Sequence, residues 1–173
     1  TLNSCLFYSN IASDIDDGLL NLGAVGGAIY CTTSMSITEC TFGIKMYGNA
    51  TKSDKKSVGG AIGFYGLENT NSVLTINSCD FSYNYLLPSD GGTDSEISEG
   101  AAIRVHNAGQ TIISDSYFFK NWSAGWPDLG TIAVTGSPLI INDVVTIEGT
   151  SRSLDLIGPS SMLDLQSGSR LLG

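Results

Sequence analysis

The sequence is poor in charged residues, histidine and long apolar runs, and each shortage removes a class of structure or function. Only 14% of the 173 residues are charged, against roughly 25% in an average globular protein, and amphipathic helical stretches are missing. No run of about 18 uninterrupted apolar residues occurs, so we expect no membrane span. Eight basic residues against 17 acidic ones give a formal charge of −9, which repels phosphate backbones. Nucleic-acid binding is therefore not expected.

In place of charge the chain has 21 glycines, many Ser, Thr and Asn residues, and 42% hydrophobic residues. That apolar content is enough to fill a core, and the length suits one domain. We therefore predict a single, nearly all-β unit over residues 1–173. The chain starts at Thr1 inside a repeat, without a start methionine or signal peptide, so we expect it to be a piece of a longer protein.

Two short phrases recur along the chain, and the spacing between them varies. The first is Gly-Gly-Ala-Ile or a close variant, and it begins at Gly26, Gly59, Gly100 and, more weakly, Gly130. The second is Phe-x-x-Asn, and it occupies Phe7–Asn10, Phe81–Asn84 and Phe118–Asn121, whereas Phe42 is followed by an insertion before Asn49. Recurrent phrases with variable spacing indicate stacked units joined by loops of different length.

Within a unit, apolar and polar residues alternate with a period of two, as in LTINSCDF from Leu74 to Phe81. Strands this short cannot shield a core alone, but three per unit can do so when they wind around one axis and stack on the next unit. Helical periodicity is missing between them, which argues against a βαβ fold. The pattern predicts an all-β, single-stranded parallel β-helix (a solenoid) with three short strands per coil and about 4.8 Å between coils.

Stacking would place equivalent residues in columns. Paired glycines suit a tight corner, and the residues after them would form an inner column of Ala28, Ala61 and Ala102 beside one of Ile29, Ile62 and Ile103. Further columns would contain the thiols of Cys5, Cys40 and Cys79, the rings of Phe7, Phe42, Phe81 and Phe118, and the amides of Asn10, Asn84 and Asn121. The variable stretches 11–25, 50–58, 85–99 and 122–129 would be surface loops at one corner. Residues 1–129 would form these coils, and 130–173 plainer continuing coils.

The combination of the two phrases resembles the repeats of chlamydial polymorphic outer membrane proteins, and similar repeats occur in surface proteins of other bacteria and protists. The resemblance covers residues 1 to about 132, through GGAI at Gly26–Ile29 and Gly59–Ile62 and F-x-x-N at Phe7–Asn10, Phe81–Asn84 and Phe118–Asn121. It implies a right-handed β-helix that is secreted or displayed on a cell surface, in a family associated with adhesion. In that family the motifs look structural, so no catalytic residue carries over.

Four cysteines fit two alternatives, disulfides in an oxidising compartment or a reduced ladder in the core; they are Cys5, Cys31, Cys40 and Cys79. Stacked neighbours would have Cα atoms about 4.8 Å apart, which a disulfide accepts. Buried cysteine also serves as a small hydrophobe, and four cysteines allow three connectivities. No C-x-x-C and no Cys/His cluster occurs, so we expect no zinc, and we expect no other metal or cofactor.

Two N-x-[ST] sequons are candidate glycosylation sites, at Asn49 and Asn121. Both occur where a corner would open into a variable loop, and glycosylation would require a eukaryotic secretory route. Asn121 also occupies the amide column, and an asparagine whose amide is buried there could not carry a sugar.

Two acidic stretches invite a calcium reading, one with Asp14, Asp16 and Asp17 and the other with Asp90, Asp94, Glu96 and Glu99. Both miss the ligand spacing of known calcium loops, which favours a solvated acidic face.

Parallel β-helices also serve as polysaccharide lyases and glycoside hydrolases, which is the alternative function. A glycosidase needs two carboxylates flanking a groove. The outward strand positions are mostly Ser, Thr, Asn and Gly, Arg104 is the one basic residue near a strand, and His106 is the single histidine. We expect a non-catalytic protein and a surface position for His106.

The sequence thus predicts a secreted or cell-surface β-helix that serves as a structural stalk, fibre subunit or adhesin. A protein or glycan ligand would bind the variable loops, where four aromatic residues lie: Tyr83, Tyr85, Trp122 and Trp126. The open ends suggest end-to-end association into filaments.

Overall fold

The structure, a computed structural model, describes residues 1–13, 23–53, 57–67, 71–88, 99–123, 130–148, 152–166 and 168–172. These residues form strands and no helix, as the sequence predicts. The strands are β1 (Leu2–Asn3), β2 (Leu6–Phe7), β3 (Ile11–Ser13), β4 (Ala24–Val25), β5 (Ile29–Cys31), β6 (Met35–Thr38), β7 (Thr41–Phe42), β8 (Ala50–Ser53), β9 (Ser57–Val58), β10 (Ile62–Tyr65), β11 (Val73–Asn77), β12 (Asp80–Ser82), β13 (Tyr85–Pro88), β14 (Ile103–His106), β15 (Gln110–Phe119), β16 (Trp122–Ser123), β17 (Gly130–Thr135), β18 (Pro138–Glu148), β19 (Arg152–Ile157), β20 (Met162–Leu165) and β21 (Arg170–Leu172).

The described strands pair in parallel and build curled sheets. The largest follows the path β1-β6-β11-β15-β12-β7-β2, and β18 joins it through β15 and pairs with β20 and β21. A second sheet has the order β19-β17-β14-β10-β5, a third has the order β16-β13-β8-β3, and β4 pairs with β9. The first half of β15 pairs with β11 and its second half with β12, so the largest sheet turns within single strands.

Pairing brings equivalent residues of successive repeats side by side. Ile62 pairs with Ile29 on one side and with Ile103 on the other, and Ile103 pairs in turn with Ile132. All four side chains are buried, because each is the inward residue of an alternating strand. The predicted isoleucine column is therefore confirmed.

The aromatic column is confirmed as well, and it runs through the core. The rings of Phe7, Phe42, Phe81 and Phe118 stack with centroid separations of 4.9, 4.7 and 4.7 Å and nearly parallel planes. Rings at this spacing follow the distance between paired strands, so side-chain stacking and backbone pairing support the same register.

The paired glycines serve two different needs. Gly59 has φ +63°, a left-handed conformation that side chains seldom adopt. Gly60 has no such φ, but a Cβ there would lie 2.1 Å from the carbonyl oxygen of Ala101 in the next repeat. One glycine therefore allows the corner, and the other allows close approach of neighbouring backbones.

A second corner of each repeat carries polar residues in the left-handed region. Their φ angles lie between 44° and 56°, and the residues are Ser4, Glu39, Ser78, Asp115 and Asp143. Short polar side chains tolerate this conformation best, which explains why a corner without glycine recurs there.

The variable stretches were predicted to be surface loops, and for their first residues this is wrong. Segments of all four form the third sheet, in which Leu86 of β13 pairs with Thr51 of β8. Both side chains are fully buried, so this wall covers the core rather than leaving a loop corner. Residues 14–22, 54–56, 89–98 and 124–129 lie outside the described residues.

The strands after residue 130 join the sheets formed by the earlier repeats. β17 pairs with β14, and β18 pairs with β15 over both of its halves. Ile147 follows Phe118 in register, so an aliphatic side chain takes the place of the next phenylalanine.

Candidate functional site

The most ordered polar feature is a ladder of four side-chain amides inside the corner where the F-x-x-N phrase ends. Each Nδ2 donates to the Oδ1 of the next asparagine at 2.8 to 2.9 Å, in the order Asn10, Asn49, Asn84, Asn121. Each Oδ1 that accepts this bond also accepts the backbone N–H of the donating residue, at 3.0 to 3.3 Å. The amides therefore form a continuous hydrogen-bonded chain along the stack.

The second bond of each inner amide ties neighbouring repeats together. Asn84 Nδ2 donates to the carbonyl oxygen of Phe42 at 2.8 Å, and Asn121 Nδ2 donates to that of Phe81 at 2.7 Å. Asn84 and Asn121 are buried, so these bonds form in a region of low dielectric constant, where an unpaired amide would be costly. The ladder satisfies polar groups that the corner would otherwise leave without partners.

Asn49 belongs to the ladder, although the sequence analysis left it out because of the insertion after Phe42. The extra residues loop outward between Gly43 and Gly48, and Asn49 returns to the position that the shorter repeats reach directly. Its side chain is fully buried, and Nδ2 also donates to the carbonyl oxygen of Phe7 at 3.0 Å. No local sequence signal separates a looped-out insertion from a lost rung.

Burial of the ladder bears on both predicted sequons. Both N–H groups of the Asn49 amide are used in hydrogen bonds, and the side chain of Asn121 is buried as well. A sugar on either Nδ2 would replace a ladder hydrogen and displace the neighbouring repeat. Glycosylation at Asn49 and Asn121 stays a prediction, and in this fold it would require the ladder to open.

Three of the four cysteines form a second column, beside the aromatic one. Each thiol donates to the carbonyl oxygen two residues earlier in the chain, at 3.1 to 3.2 Å for Cys5, Cys40 and Cys79. The backbone N–H of Cys5 points at the sulfur of Cys40, and that of Cys40 at the sulfur of Cys79, both at 3.4 Å. Ser116 continues the column with the same two contacts.

All four thiols are free in the structure. Burial raises the pKa of the Cys79 thiol to about 11 and also raises that of Cys40. A raised thiol pKa lowers the thiolate fraction, so these two residues are poor nucleophiles at neutral pH. Cys31 lies apart in β5, where its thiol donates to the carbonyl oxygen of Thr33 at 3.0 Å.

A polar cluster on the outer face of the second sheet was not predicted. Arg104 in β14 forms an ion pair with Glu99, and their side chains are only 5% and 12% exposed. Glu99 is therefore not part of a solvated acidic face. His106, expected at the surface, is partly buried, and its ring lies 5.4 Å from that of Tyr65.

Burial is the main cause that raises the pKa of Tyr65 to about 12. The charge of Glu99 acts in the same direction, and that of Arg104 opposes both. A neutral phenol beside a paired arginine and carboxylate has no group free to take up a proton near neutral pH. The cluster therefore fastens Glu99 to the sheet, and its chemistry is that of a structural ion pair.

Exposed aromatic residues lie at the third sheet, where the sequence places its ligand-binding loops. Tyr85 and Trp122 stack with ring centroids 5.4 Å apart, and Trp122 is 47% exposed. Tyr83 lies nearby and contacts the edge of Phe119. Trp126 lies outside the described residues, as do Asp14, Asp16, Asp17, Asp90, Asp94 and Glu96.

Within the described part of the chain, no group of three or more His, Cys, Asp or Glu side chains could hold a metal ion. The same residues contain no helix long and apolar enough to cross a membrane. No protein-family model, no curated protein and no solved structure matches the chain, so its function has to be argued from its own residues.

Proposed function

We propose that the chain is a segment of a right-handed parallel β-helix related to the polymorphic outer membrane protein repeats, and that it acts as a non-catalytic stalk, fibre subunit or adhesin outside the cell. The observation that carries the proposal is the unbroken in-register stacking of identical side chains across repeats. The ladder of Asn10, Asn49, Asn84 and Asn121 and the column of Phe7, Phe42, Phe81 and Phe118 both run through four of them.

Stacking of this kind supports a mechanical role. Each repeat is held to the next by backbone pairing, by amide bonds and by ring stacking, so no soft linker separates them. The described polar clusters are used up in structural contacts such as the pair of Arg104 and Glu99. A rod with a saturated interior and an acidic, weakly charged surface fits a spacer that stays soluble without clumping.

Ligand contact, in this proposal, belongs to the aromatic residues of the third sheet and the loops that follow it. The stacked pair of Tyr85 and Trp122 offers a partly exposed apolar surface with polar edges, which suits a protein or glycan ligand. End-to-end association into filaments is a further part of the proposal.

Localisation on native cells tests the proposal. An antibody raised against the purified chain is applied to intact and to permeabilised cells of the source organism, with an antibody against a cytoplasmic enzyme as the permeability control. Labelling of intact cells, or antigen in the medium, is the expected result. Antigen that appears only after permeabilisation would contradict an extracellular role.

A second assay separates the stalk from the polysaccharide-active alternative. The purified chain is incubated with neutral and acidic polysaccharides, and both reducing ends and unsaturated products are measured. The proposal predicts no release above a heat-denatured sample. Sustained turnover that is lost on denaturation would make the β-helix enzyme the better account.

A further inference from the structure

The insertion between Phe42 and Asn49 forms a tight hairpin that projects from the corner. Ile44 and Tyr47 exchange backbone hydrogen bonds, at 3.3 Å from the N–H of Ile44 and at 2.8 Å from that of Tyr47. Lys45 and Met46 form the turn between them. This is the antiparallel exception among the described strand contacts, and none of the other F-x-x-N phrases has it.

The base of the hairpin is clamped between two neighbouring repeats. A Cβ on Gly43 would lie 2.1 Å from the carbonyl oxygen of Ser82, and one on Gly48 would lie 1.7 Å from that of Tyr83. On the other side, the N–H of Ser9 donates to the carbonyl oxygen of Tyr47 at 3.4 Å. Since both ends are held by close backbone contacts, the tip is presented in a defined position.

Folding does not explain the residues at the tip. Met46 is 83% exposed and has φ +67°, a conformation in which Asn, Asp or Gly would be less strained. Its apolar side chain gains almost no burial in return. Ile44 and Tyr47 are also exposed, as are Leu6 and Tyr8 on the adjoining strand. A strained, exposed apolar residue beside four others is the kind of outlier that points to contact with something else.

The charge around the hairpin differs from that of the rest of the chain. Residues 40–53 contain two lysines and no carboxylate, although the whole chain has a formal charge of −9. Lys45 is the only lysine or arginine in residues 1–51, and it lies at the turn between two apolar residues. An apolar, convex tip with one cation and flanking tyrosines has the composition of segments that enter the lipid interface.

We propose that the Ile44–Tyr47 hairpin is an interfacial membrane-docking site, a role beyond that of a stalk. Ile44 and Met46 enter the boundary between headgroups and acyl chains of a phospholipid bilayer. Tyr47 and Tyr8 lie at the headgroup level, where amphipathic rings are favoured. Lys45 pairs with lipid phosphate. The bilayer is favoured over a protein pocket because the tip is convex, combines apolar and cationic groups, and lacks nearby carboxylates in its own segment.

Flotation with phosphatidylcholine vesicles tests the proposal, because zwitterionic lipid presents phosphate without adding repulsion from an anionic surface. The wild-type chain is expected to float with the vesicles. Met46→Asn suits the left-handed turn, so the fold is retained with equal or higher thermal stability, while the partition coefficient falls at least about tenfold. Lys45→Gln is expected to weaken binding by about two- to fivefold through loss of the phosphate contact.

Met162 supplies the matched control, since it is an exposed methionine at 59% on a different part of the chain. Met162→Asn is expected to leave flotation unchanged. Absence of wild-type flotation, or an equal loss with Met162→Asn, would overturn the proposal. A dimer in lipid-free buffer that Met46→Asn abolishes, without vesicle binding, would assign the hairpin to contact between copies and would also overturn it.

Discussion

Replacement of Asn84 by alanine removes one inner rung of the amide ladder and tests how much the ladder stabilises the fold. Asn84 takes part in four side-chain hydrogen bonds. Its Nδ2 donates to Phe42 and Asn121, and its Oδ1 accepts both the backbone N–H and the Nδ2 of Asn49. In the variant, two buried donors of Asn49 lose their acceptor.

The magnitude follows from that count. A buried donor left without a partner costs about 1–3 kcal/mol, and each hydrogen bond otherwise contributes about 0.5–1.5 kcal/mol net. We therefore expect Asn84→Ala to lower the free energy of unfolding by about 3–5 kcal/mol. Asn10→Ala, at the end of the ladder, loses one side-chain bond to Asn49 in a half-buried position and should cost about 1 kcal/mol.

Equilibrium unfolding in urea, followed by far-ultraviolet circular dichroism, compares both variants with the wild type. The reasoning requires Asn84→Ala to be clearly more costly than Asn10→Ala at an unchanged slope. Equal losses below about 1 kcal/mol for both variants would refute it, because inner and terminal rungs would then be equivalent.

Three further predictions concern the core. Gly60→Ala should be strongly destabilising in thermal denaturation, since its Cβ would lie 2.1 Å from a neighbouring carbonyl oxygen; Gly158→Ala, with φ +87° and no atom within 4 Å, should cost only about 1 kcal/mol, and equal losses would rule out the steric explanation. Thr111→Val should raise the free energy of unfolding by about 1 kcal/mol, because the buried Oγ1 has no partner among the described residues; a loss of stability would contradict this. Cys79 should react with thiol reagents far more slowly than the half-buried Cys5, and, since its folded pKa is raised, its contribution to stability should be lost as the pH rises from 9.0 to about 11. Cys79→Ser should flatten that alkaline loss; an unchanged alkaline slope would contradict the assignment.

The parts of the fold that the sequence predicted are those built from the same residue in every repeat. Phenylalanine recurs because its ring stacks on a copy of itself, and the isoleucine after the glycine pair recurs for the same reason. Side chains that stack on their own kind leave a visible period in the sequence. The columns could therefore be read, together with the parallel pairing that they imply.

The parts that the sequence did not predict are those in which neighbouring repeats use different residues. The third sheet pairs Ile11 with Ala50, Ala50 with Tyr85, and Tyr85 with Trp122, so no phrase recurs there. Asn49 escaped because an insertion changes its spacing without moving it from the ladder. The pair of Glu99 and Arg104 joins a loop end to a strand, and a single sequence carries no signal for such a contact.

Nuclear Overhauser contacts between aromatic rings in solution test the central claim, which is that successive repeats stack in parallel register. The account predicts an unbroken series of ring-to-ring contacts from Phe7 to Phe42, from Phe42 to Phe81, and from Phe81 to Phe118, together with slowly exchanging side-chain amides of Asn49 and Asn84. Isolated rings, or close Hα contacts between neighbouring strands in the antiparallel pattern, would contradict it.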